Sequence, residues 1–292
     1  MLPSHKQGLY TLEHCKVRSH DDRLVYEQEE GNHCQHFSLP IENTSALLLG
    51  PGTSLTQAAA KKLANAGVLV AFTGGGGTPL FFASQNEYRP TQWCQGWWRM
   101  WADEPNHLQV AKQWQAARAQ EIGKQWKKTQ TPKPAEAELL GCLEKYTEQA
   151  QSATDKKALL GAEGNFTRKL YGLWSRATQT EGFRRESGKK QPEDKVNSFL
   201  DQGNYLAYGL AGVALWVLGI PHSMPVLHGE TRRGALVFDV ADLVKDAIVL
   251  PWAFTAAAEG LEESEFRKGC VQRLHQAKTL DLFFKALKQV AQ

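Results

Sequence analysis

The stretch HGETRRGALVFDVADLVK, residues 228–245, carries a histidine and two carboxylates that lie three positions apart. A turn at His228 leads through a basic pair to four apolar residues, 235–238, which we expect to form a short strand. Asp239 and Asp242 follow, where the apolar period changes to that of a helix. Carboxylates at this spacing are neighbours on a helix surface, so an imidazole from the preceding turn can join them around one cation. Oxygen ligands with a single nitrogen favour Mg²⁺ or Mn²⁺ over Zn²⁺.

The two acids also have a purely structural interpretation. An Asp at the point where a strand gives way to a helix, with a second acid three residues later, satisfies free N–H groups of the first helical turn. The residues are compatible with both a helix cap and a metal site. The choice therefore depends on whether another segment supplies a third ligand.

Composition predicts a globular protein without an export or membrane segment. The chain has 292 residues, of which 42% are apolar and 22% charged, and this length favours two domains. The first residues, MLPSHKQGLY, lack the apolar core of a signal peptide, and no run approaches the ~20 apolar residues of a membrane span. Five scattered cysteines without a CxxC pair indicate reduced thiols. We therefore expect a cytoplasmic protein with no membrane partner.

Positive charge is concentrated in one part of the chain. The net charge of +3 is too small to indicate a nucleic-acid partner by itself. Residues 166–190, however, hold seven Lys or Arg against two acids. A basic stripe is usually a solvated helix face, but beside a candidate metal site it also suits a phosphate backbone.

Apolar patterns in the first part of the chain predict strands. Short β-type runs separated by turn residues lie at 9–12, 24–27, 46–49, 68–72 and 79–83. One helix is expected among them at 55–65, with Thr53 or Ser54 as its cap and Gly67 at its end.

These patterns divide the chain into two domains of the α+β class. Residues 1–85 predict a small β-sandwich-like domain with one helix, and 86–92 a linker. Residues 93–292 predict a larger all-helical domain that carries the metal site, with breaks at 129–134 and 187–194, where proline and charge are combined.

Three other features are weaker candidates for a site. The glycine tract at 74–77 lacks the Lys-Ser/Thr pair of a phosphate loop, so a hairpin tip is the better interpretation. A zinc site can be drawn from His14, Cys15, His33, Cys34 and His36. We disfavour it because side chains alternate between the two faces of a strand. Four tryptophans at helical spacing indicate a core or an interface rather than a base-stacking platform, namely Trp93, Trp97, Trp98 and Trp101.

The third ligand is expected from residues 158–178, ALLGAEGNFTRKLYGLWSRAT. An apolar stripe predicts a helix here, and Glu163 and Arg168 lie off that stripe. Gly161 and Gly164 flank the glutamate, and each costs a helix interior on the order of 1 kcal/mol relative to Ala. Such glycines are tolerable where a ligand approaches closely. Alternatively, Gly161 marks a break between two helices, and Glu163 lies in a first turn where the helix dipole favours it.

Four motifs, in this order, resemble a known family, the CRISPR-associated spacer-acquisition integrases that are the first of the numbered Cas proteins. EGNFTRKLY at 163–171 is similar to the family's Glu-x-x-x-x-Arg-x-x-Tyr helix, and NSFLDQGNYLAYG at 197–209 to its asparagine–tyrosine helix. GIPHSMPVLH at 219–228 resembles the glycine-to-histidine turn, and LVFDVAD at 236–242 the strand and acidic helix start. The resemblance covers nearly the whole chain and is strongest to the I-F subtype.

The resemblance implies a metal-dependent DNA endonuclease and integrase. It implies that Glu163, His228 and Asp242 bind Mg²⁺ or Mn²⁺, and that Asp239 is a further acid of the catalytic site that orients or assists. In the family, the 3′-hydroxyl of a captured foreign DNA fragment attacks a phosphodiester at a CRISPR repeat, which inserts a new spacer for antiviral defence. With water in place of the hydroxyl, the same site would act as a nuclease.

The resemblance also implies partners. These are a second copy of the chain bound through the N-terminal domain, double-stranded DNA as fragment and repeat, and the second Cas protein fused to the helicase-nuclease. The residues expected to contact DNA phosphates are Arg168, Lys169, Arg176, Arg184, Arg185, Arg232 and Arg233.

Two other functions remain open on the sequence alone. A stand-alone structure-selective nuclease for branched DNA would use the same ligands without a recruited partner. A silent DNA-binding scaffold would use the acids only as helix caps. The first is distinguished by whether a fragment and a repeat target are joined or only cut, and the second by whether Mn²⁺ binds at the acidic cluster.

Overall fold

Strands form the N-terminal part of the chain and helices the C-terminal part, so the expected α+β class is confirmed. The structure of the protein is a computed structural model. It describes residues 8–21, 23–30, 33–74, 79–83, 91–130, 132–180, 182–186, 194–229 and 234–292. Outside these ranges lie Arg232, Arg233, the glycines at 75–77 and residues 86–90 of the expected linker.

Within the described residues, the strands form two sheets of four. Their bounds are β1 Gly8–Leu12, β2 Lys16–His20, β3 Arg23–Glu30, β4 His33–Ser38, β5 Thr44–Leu49, β6 Ser54–Leu55, β7 Leu69–Thr73 and β8 Pro79–Ala83. The first sheet has the order β1-β5-β7-β8 and the second β4-β3-β2-β6. In the first sheet, β5 runs parallel to both neighbours and β8 is antiparallel to β7.

The strand β5 shows why the first sheet lies in the middle of the molecule. All six of its residues are buried, and its sequence TSALLL does not alternate apolar with polar positions. Leu47 and Leu49 pack in the core between the two sheets. Ala46, on the opposite face, belongs to the core of the helical part. A strand covered on both faces reads as a continuous apolar run.

The helix α1, Gln57–Asn65, begins two residues after the predicted start. Ser54 and Leu55 instead form β6, which pairs in parallel with β2. Thr56 is the cap, because its hydroxyl accepts a hydrogen bond from the backbone N–H of Ala59 at 3.3 Å. The helix ends before Gly67, which has φ of 65° and adopts the left-handed conformation expected after a helix.

Helices make up the regular structure described from residue 91 onward. Their bounds are α2 Thr91–Trp101, α3 Glu104–Lys128, α4 Glu136–Ser152, α5 Lys156–Ala177, α6 Lys195–Leu218, α7 Ala235–Ala241, a π-helix Lys245–Val249, α8 Leu250–Ala258, α9 Glu263–Gln276 and α10 Thr279–Ala291. The last two residues of the expected linker, Thr91 and Gln92, therefore already belong to α2. None of these helices, as far as the chain is described, combines the length and apolar character needed to cross a bilayer.

The strand expected at 235–238 is wrong, because these residues open the helix α7. Gly234 precedes the helix with φ of 65°, a conformation that ordinary side chains rarely adopt. Leu236, Asp239 and Val240 then share the buried side of the helix. A short apolar run has the same appearance in a buried strand and in a buried helix, so its period could not distinguish them.

Candidate metal centre

Three distant segments meet at one buried point. Helix α5 supplies Glu163, the loop after α6 supplies His228, and the residue after α7 is Asp242. One ligand atom from each of these side chains lies within 4.8 Å of the others. Glu163 and Asp242 are buried, and His228 is partly exposed. The structure therefore brings together the three residues that the sequence singled out, at a spacing that one cation can bridge after small side-chain movements.

Asp239 lies behind His228 and fixes its position. Its Oδ1 accepts hydrogen bonds from the backbone N–H of His228 at 3.0 Å and contacts the ring Nδ1 at 2.6 Å. Its Oδ2 accepts from the backbone N–H groups of Val226 at 2.7 Å and Leu227 at 3.2 Å. The other ring nitrogen, Nε2, is left facing Asp242 Oδ2 at 3.8 Å. This is how a carboxylate orients a metal-binding histidine.

The helix-cap interpretation of the two acids does not fit this geometry. Helix α7 begins four residues before Asp239, after Gly234, and the π-helix begins after Val244. Neither acid therefore occupies the cap position at the start of a helix. The backbone N–H groups that Asp239 accepts belong to the histidine loop rather than to a helical turn.

The pKa of His228 is raised by its surroundings. Burial is the largest influence and lowers the pKa, but the hydrogen bond to Asp239 and the charges of Asp242, Asp239 and Glu163 together outweigh it. A metal binds neutral imidazole, so a cation at this site would compete with a proton for His228.

The carboxylate of Asp242 accepts fewer hydrogen bonds than those of Glu163 and Asp239. Both oxygens are buried, and neither accepts a hydrogen bond of regular geometry from the described residues. The ammonium of Lys245, three residues later, forms an ion pair with Oδ1. Burial is the largest single influence on the pKa of Lys245 and lowers it. Asp242, then Tyr208 and Asp246, outweigh burial, so the pKa of Lys245 is raised. A buried carboxylate with so few donors suits a cation.

Arg118 of α3 completes the site, and the sequence did not point to it. Its guanidinium, only 1% exposed, donates to Glu163 Oε1 at 2.7 Å, to Thr167 Oγ1 at 2.9 Å and to Asp246 Oδ2 at 2.9 Å. Burial most strongly opposes its charge, but Asp246, Glu163 and Asp242 raise its pKa well above the ordinary value. Its place in the sequence could have indicated that it is buried. Arg118 lies seven positions after Ala111 and four before Ile122, on the apolar stripe of α3.

The π-helix at 245–249 supplies two charged residues to this centre. Lys245 contacts Asp242, and Asp246 contacts Arg118. The indole N–H of Trp126 binds the Asp246 carbonyl at 3.0 Å and fixes this turn against α3. Isolated π-helical turns are rare in proteins, and those that occur often lie at functional sites. Apolar periodicity gave no sign of this turn.

Two tryptophans of α2 hold the loop that carries His228. The indole N–H of Trp97 donates to the Met224 carbonyl at 3.2 Å, and that of Trp101 to the Pro225 carbonyl at 2.9 Å. The Trp stripe therefore includes contacts to the site, while Trp98 points outward and is 56% exposed.

The basic residues of α5 and the following segment differ in availability. Arg168, Lys169, Arg176 and Arg184 are exposed. Arg168 hydrogen-bonds Asn165 at 3.1 Å, and Arg176 forms an ion pair with Glu138 at 3.0 Å. Arg185 is partly buried and binds Asn197 at 2.8 Å as well as Asp201, so it is engaged within the chain. Arg232 and Arg233 lie outside the described residues.

Two curated proteins are similar to this chain over its whole length. A curated protein of Pseudomonas aeruginosa, named CRISPR-associated endonuclease Cas1, is 44% identical over 100% of this chain and 95% of its own length. A protein of the same name from Pectobacterium atrosepticum is 42% identical over 100% of this chain and 94% of its own.

A solved structure and a family model are also similar to this chain. The crystal structure of a TtCas1–DNA complex has a TM-score of 0.72 and 26% identity, over 97% of this chain and 90% of that chain. The family described as CRISPR associated protein Cas1 matches residues 9–289. This chain therefore belongs to the CRISPR associated protein Cas1 family.

Proposed function

We propose that this Cas1 chain is a divalent-metal-dependent DNA integrase and endonuclease that inserts foreign DNA fragments as new spacers into a CRISPR array. Family membership, the endonuclease name of the two relatives and the DNA-bound structural neighbour support the proposal. The observation that carries it is the meeting of Glu163, His228 and Asp242 at one buried point.

The proposed cation is Mg²⁺ or Mn²⁺, held by Glu163, His228 and Asp242. Two carboxylates and one imidazole suit these hard cations better than Zn²⁺ or Cu²⁺. The buried oxygens of Asp242, which accept no hydrogen bond of regular geometry from the described residues, fit the same assignment. When bound, a divalent ion polarises the scissile phosphate and lowers the pKa of the attacking hydroxyl.

The surrounding residues have positioning roles in this proposal. Asp239 orients the His228 ring through Nδ1 and holds the loop through its backbone N–H groups. Arg118 fixes one oxygen of Glu163. Lys245 neutralises Asp242 in the metal-free protein. The carboxylates are thus held in place before DNA arrives, which reduces the reorganisation that catalysis requires.

We infer that DNA follows the exposed basic residues of α5 and the segment after it. Arg168, Lys169, Arg176 and Arg184 are accessible to phosphates, and such contacts position a duplex without reading its sequence. Arg185 is a weaker candidate than the sequence suggested, because Asp201 and Asn197 engage its guanidinium. Arg232 and Arg233 stay in the proposal on their place in the sequence, between His228 and α7.

The domain roles and partners are proposed from the resemblance. Residues 1–85 would form the dimer contact, and residues 93–292 would carry catalysis. The partners would be double-stranded DNA, a second copy of the chain, and the second Cas protein fused to the helicase-nuclease.

The deciding experiment offers the purified protein and its Cas partner a fragment with a free 3′-hydroxyl and a DNA that contains a CRISPR repeat, with Mn²⁺ or Mg²⁺. Joined fragment–repeat products are expected on a sequencing gel. Cleavage of branched DNA without any joined product would instead support the stand-alone structure-selective nuclease.

Variants of the candidate ligands test the site itself. Glu163→Ala, His228→Ala and Asp242→Ala should each abolish joining, because each removes one of three donors. Glu144→Ala is the matched control, since Glu144 is an exposed acid on the neighbouring helix α4. Full joining by any of the three variants would remove that residue from the set of ligands.

A further inference from the structure

A second group of metal-ligating side chains lies on the β3–β4 hairpin, in the other domain from the candidate metal centre. One ligand atom each from Glu27, Cys34 and His36 lies within 4.8 Å of the others. The strand register explains this meeting. Glu27 and His36 are directly paired across the two strands, and Cys34 precedes His36 by two residues. Residues two apart on a strand point to the same face, so all three share one face of the sheet.

We propose that this face of the hairpin binds Zn²⁺ through Cys34, His36 and Glu27. Sulfur, imidazole nitrogen and carboxylate oxygen are the three donor types that zinc uses in proteins, and a water can complete a tetrahedral site with three protein ligands. A thiolate disfavours Mg²⁺ and Mn²⁺, so this site would select a different cation from the candidate metal centre. Cys34 would bind as the thiolate, and its proton would pass to solvent.

Zinc binding at this site requires movement of side chains but not of the backbone. Bonds of about 2.0–2.3 Å to a tetrahedral zinc place neighbouring ligand atoms about 3.3–3.6 Å apart. His36 Nδ1 already lies 3.0 Å from Glu27 Oε1. Cys34 is exposed and His36 is 51% exposed, so both can rotate into the site. The backbone beneath is fixed by the β3–β4 ladder and by Tyr26 and Phe37, whose rings stack at 5.0 Å.

Two positively charged side chains of β2 lie beside Glu27 and compete with zinc for its carboxylate. Arg18 donates a hydrogen bond to Glu27 Oε1, and Lys16 is paired with Glu27 across the strands. Zinc would take the place of Arg18 as the partner of this carboxylate. Removal of the Arg18 guanidinium should therefore strengthen metal binding, which a purely structural Arg18–Glu27 ion pair would not predict.

The arrangement differs from the zinc site that the sequence suggested and that alternation disfavoured. Cys15 is buried in the core between the sheets and takes no part. Cys34 and His36 do share a face, and the third donor is Glu27, which lies on another strand. The pairing of Glu27 with His36 depends on the register of the hairpin, which the amino-acid pattern alone does not indicate.

Cobalt provides a test in the intact protein. Co²⁺ replaces Zn²⁺ in tetrahedral sites, and a cobalt–thiolate bond adds a near-ultraviolet charge-transfer band. Glu163, His228 and Asp242 contain no sulfur, so cobalt bound there would not produce this band. We expect the band in the unmodified chain and its loss on addition of Zn²⁺. Cys34→Ser should abolish it, while Cys94→Ser, which changes a cysteine of α2, should keep it.

Affinities measured by zinc competition with a chromophoric chelator complete the test. His36→Ala and Glu27→Gln should weaken binding about tenfold or more, since even loss of an indirect partner of a metal ligand costs that much. Arg18→Ala should tighten it several-fold. Absence of the thiolate band in the unmodified chain, or its persistence in Cys34→Ser, would overturn the proposal. Unchanged affinity in Glu27→Gln would overturn the three-residue site as drawn.

Discussion

Arg118 lies between Glu163 and Asp246 and hydrogen-bonds both, with its side chain 1% exposed. Burial opposes its charge most strongly, but the carboxylates of Asp246, Glu163 and Asp242 stabilise it and so raise the pKa of Arg118. The same contacts decide where Glu163 points. Stability and the geometry of the candidate metal centre therefore depend on one guanidinium, and its loss would leave two buried acids without their partner.

Replacement of this residue tests that dependence. Arg118→Met keeps much of the side-chain length but removes the charge, so the free energy of unfolding should fall by about 3–5 kcal/mol. Urea denaturation followed by circular dichroism measures the change. Arg168→Met is the control on an exposed position of α5, where we expect a change within about 0.5 kcal/mol. A similar small change in Arg118→Met would show that the buried network contributes little to stability.

Asp239 acts through another residue, since it contacts His228 and the loop rather than the proposed cation. Asp239→Asn keeps the shape but replaces one carboxylate oxygen with an amide that donates toward backbone N–H groups. Mn²⁺ affinity, measured by calorimetry, should fall about 10–100-fold. Asp155→Asn is the control, because Asp155 caps α5 and Asn caps a helix equally well. Equal affinity in the two variants would exclude the orienting role.

The loop at 219–229 is held from two sides. Helix α2 binds its carbonyls at Met224 and Pro225, and α7 binds its N–H groups through Asp239. The N–H of Leu236, in the first turn of α7, also donates to the His222 carbonyl at 3.1 Å. A loop whose donors and acceptors are satisfied in this way presents its histidine in one orientation.

The contribution of α2 can be measured directly. Trp101→Phe keeps an aromatic ring but removes the N–H that binds Pro225, so the loop should open more often. Hydrogen–deuterium exchange of the 226–228 amides should increase, and stability should fall by about 0.5–1.5 kcal/mol. Trp98→Phe changes an exposed ring of the same helix and should leave this exchange unaltered. Equal exchange in both variants would show that the indole N–H does not restrain the loop.

Local patterns in the sequence predicted five of the described strands, the helix α1 and a helical region after residue 93. They did not predict β2, β4 or β6, and only the structure identified the contacts between elements. Continuous apolar runs indicated β5 and β7, and Gly67 marked the end of α1. The cap predicted at Thr53 or Ser54 is wrong, because Thr56 caps the helix and Ser54 belongs to β6. The error at 235–238 arose because a short buried run has no distinctive period. Arg118 and Asp246 were not identified, since their pairing joins residues 128 positions apart through tertiary packing. The motif resemblance, rather than periodicity, indicated that Glu163 would meet His228.

One continuous core joins the helices to the first sheet. It extends from Ala46 and Leu69 in the strands to Leu287 in α10. The candidate metal centre lies within this body, while the exposed basic residues of α5 lie at its surface. Glu163 and Arg168 are on the same helix, so a duplex on the basic surface would be held at a fixed distance from the centre. DNA affinity and strand joining are therefore expected to be separable by mutation.

Arg168→Ala and Arg184→Ala should weaken binding of random DNA duplexes by similar factors, because each removes one exposed positive charge from the proposed DNA surface. Each variant should also reduce the slope of log affinity against log salt by about one. Fluorescence anisotropy at several salt concentrations gives both quantities. Lys285→Ala is the control, since Lys285 is exposed on α10, outside the basic segment. A loss restricted to one DNA sequence, or a salt slope like that of the control, would contradict a phosphate contact at these arginines.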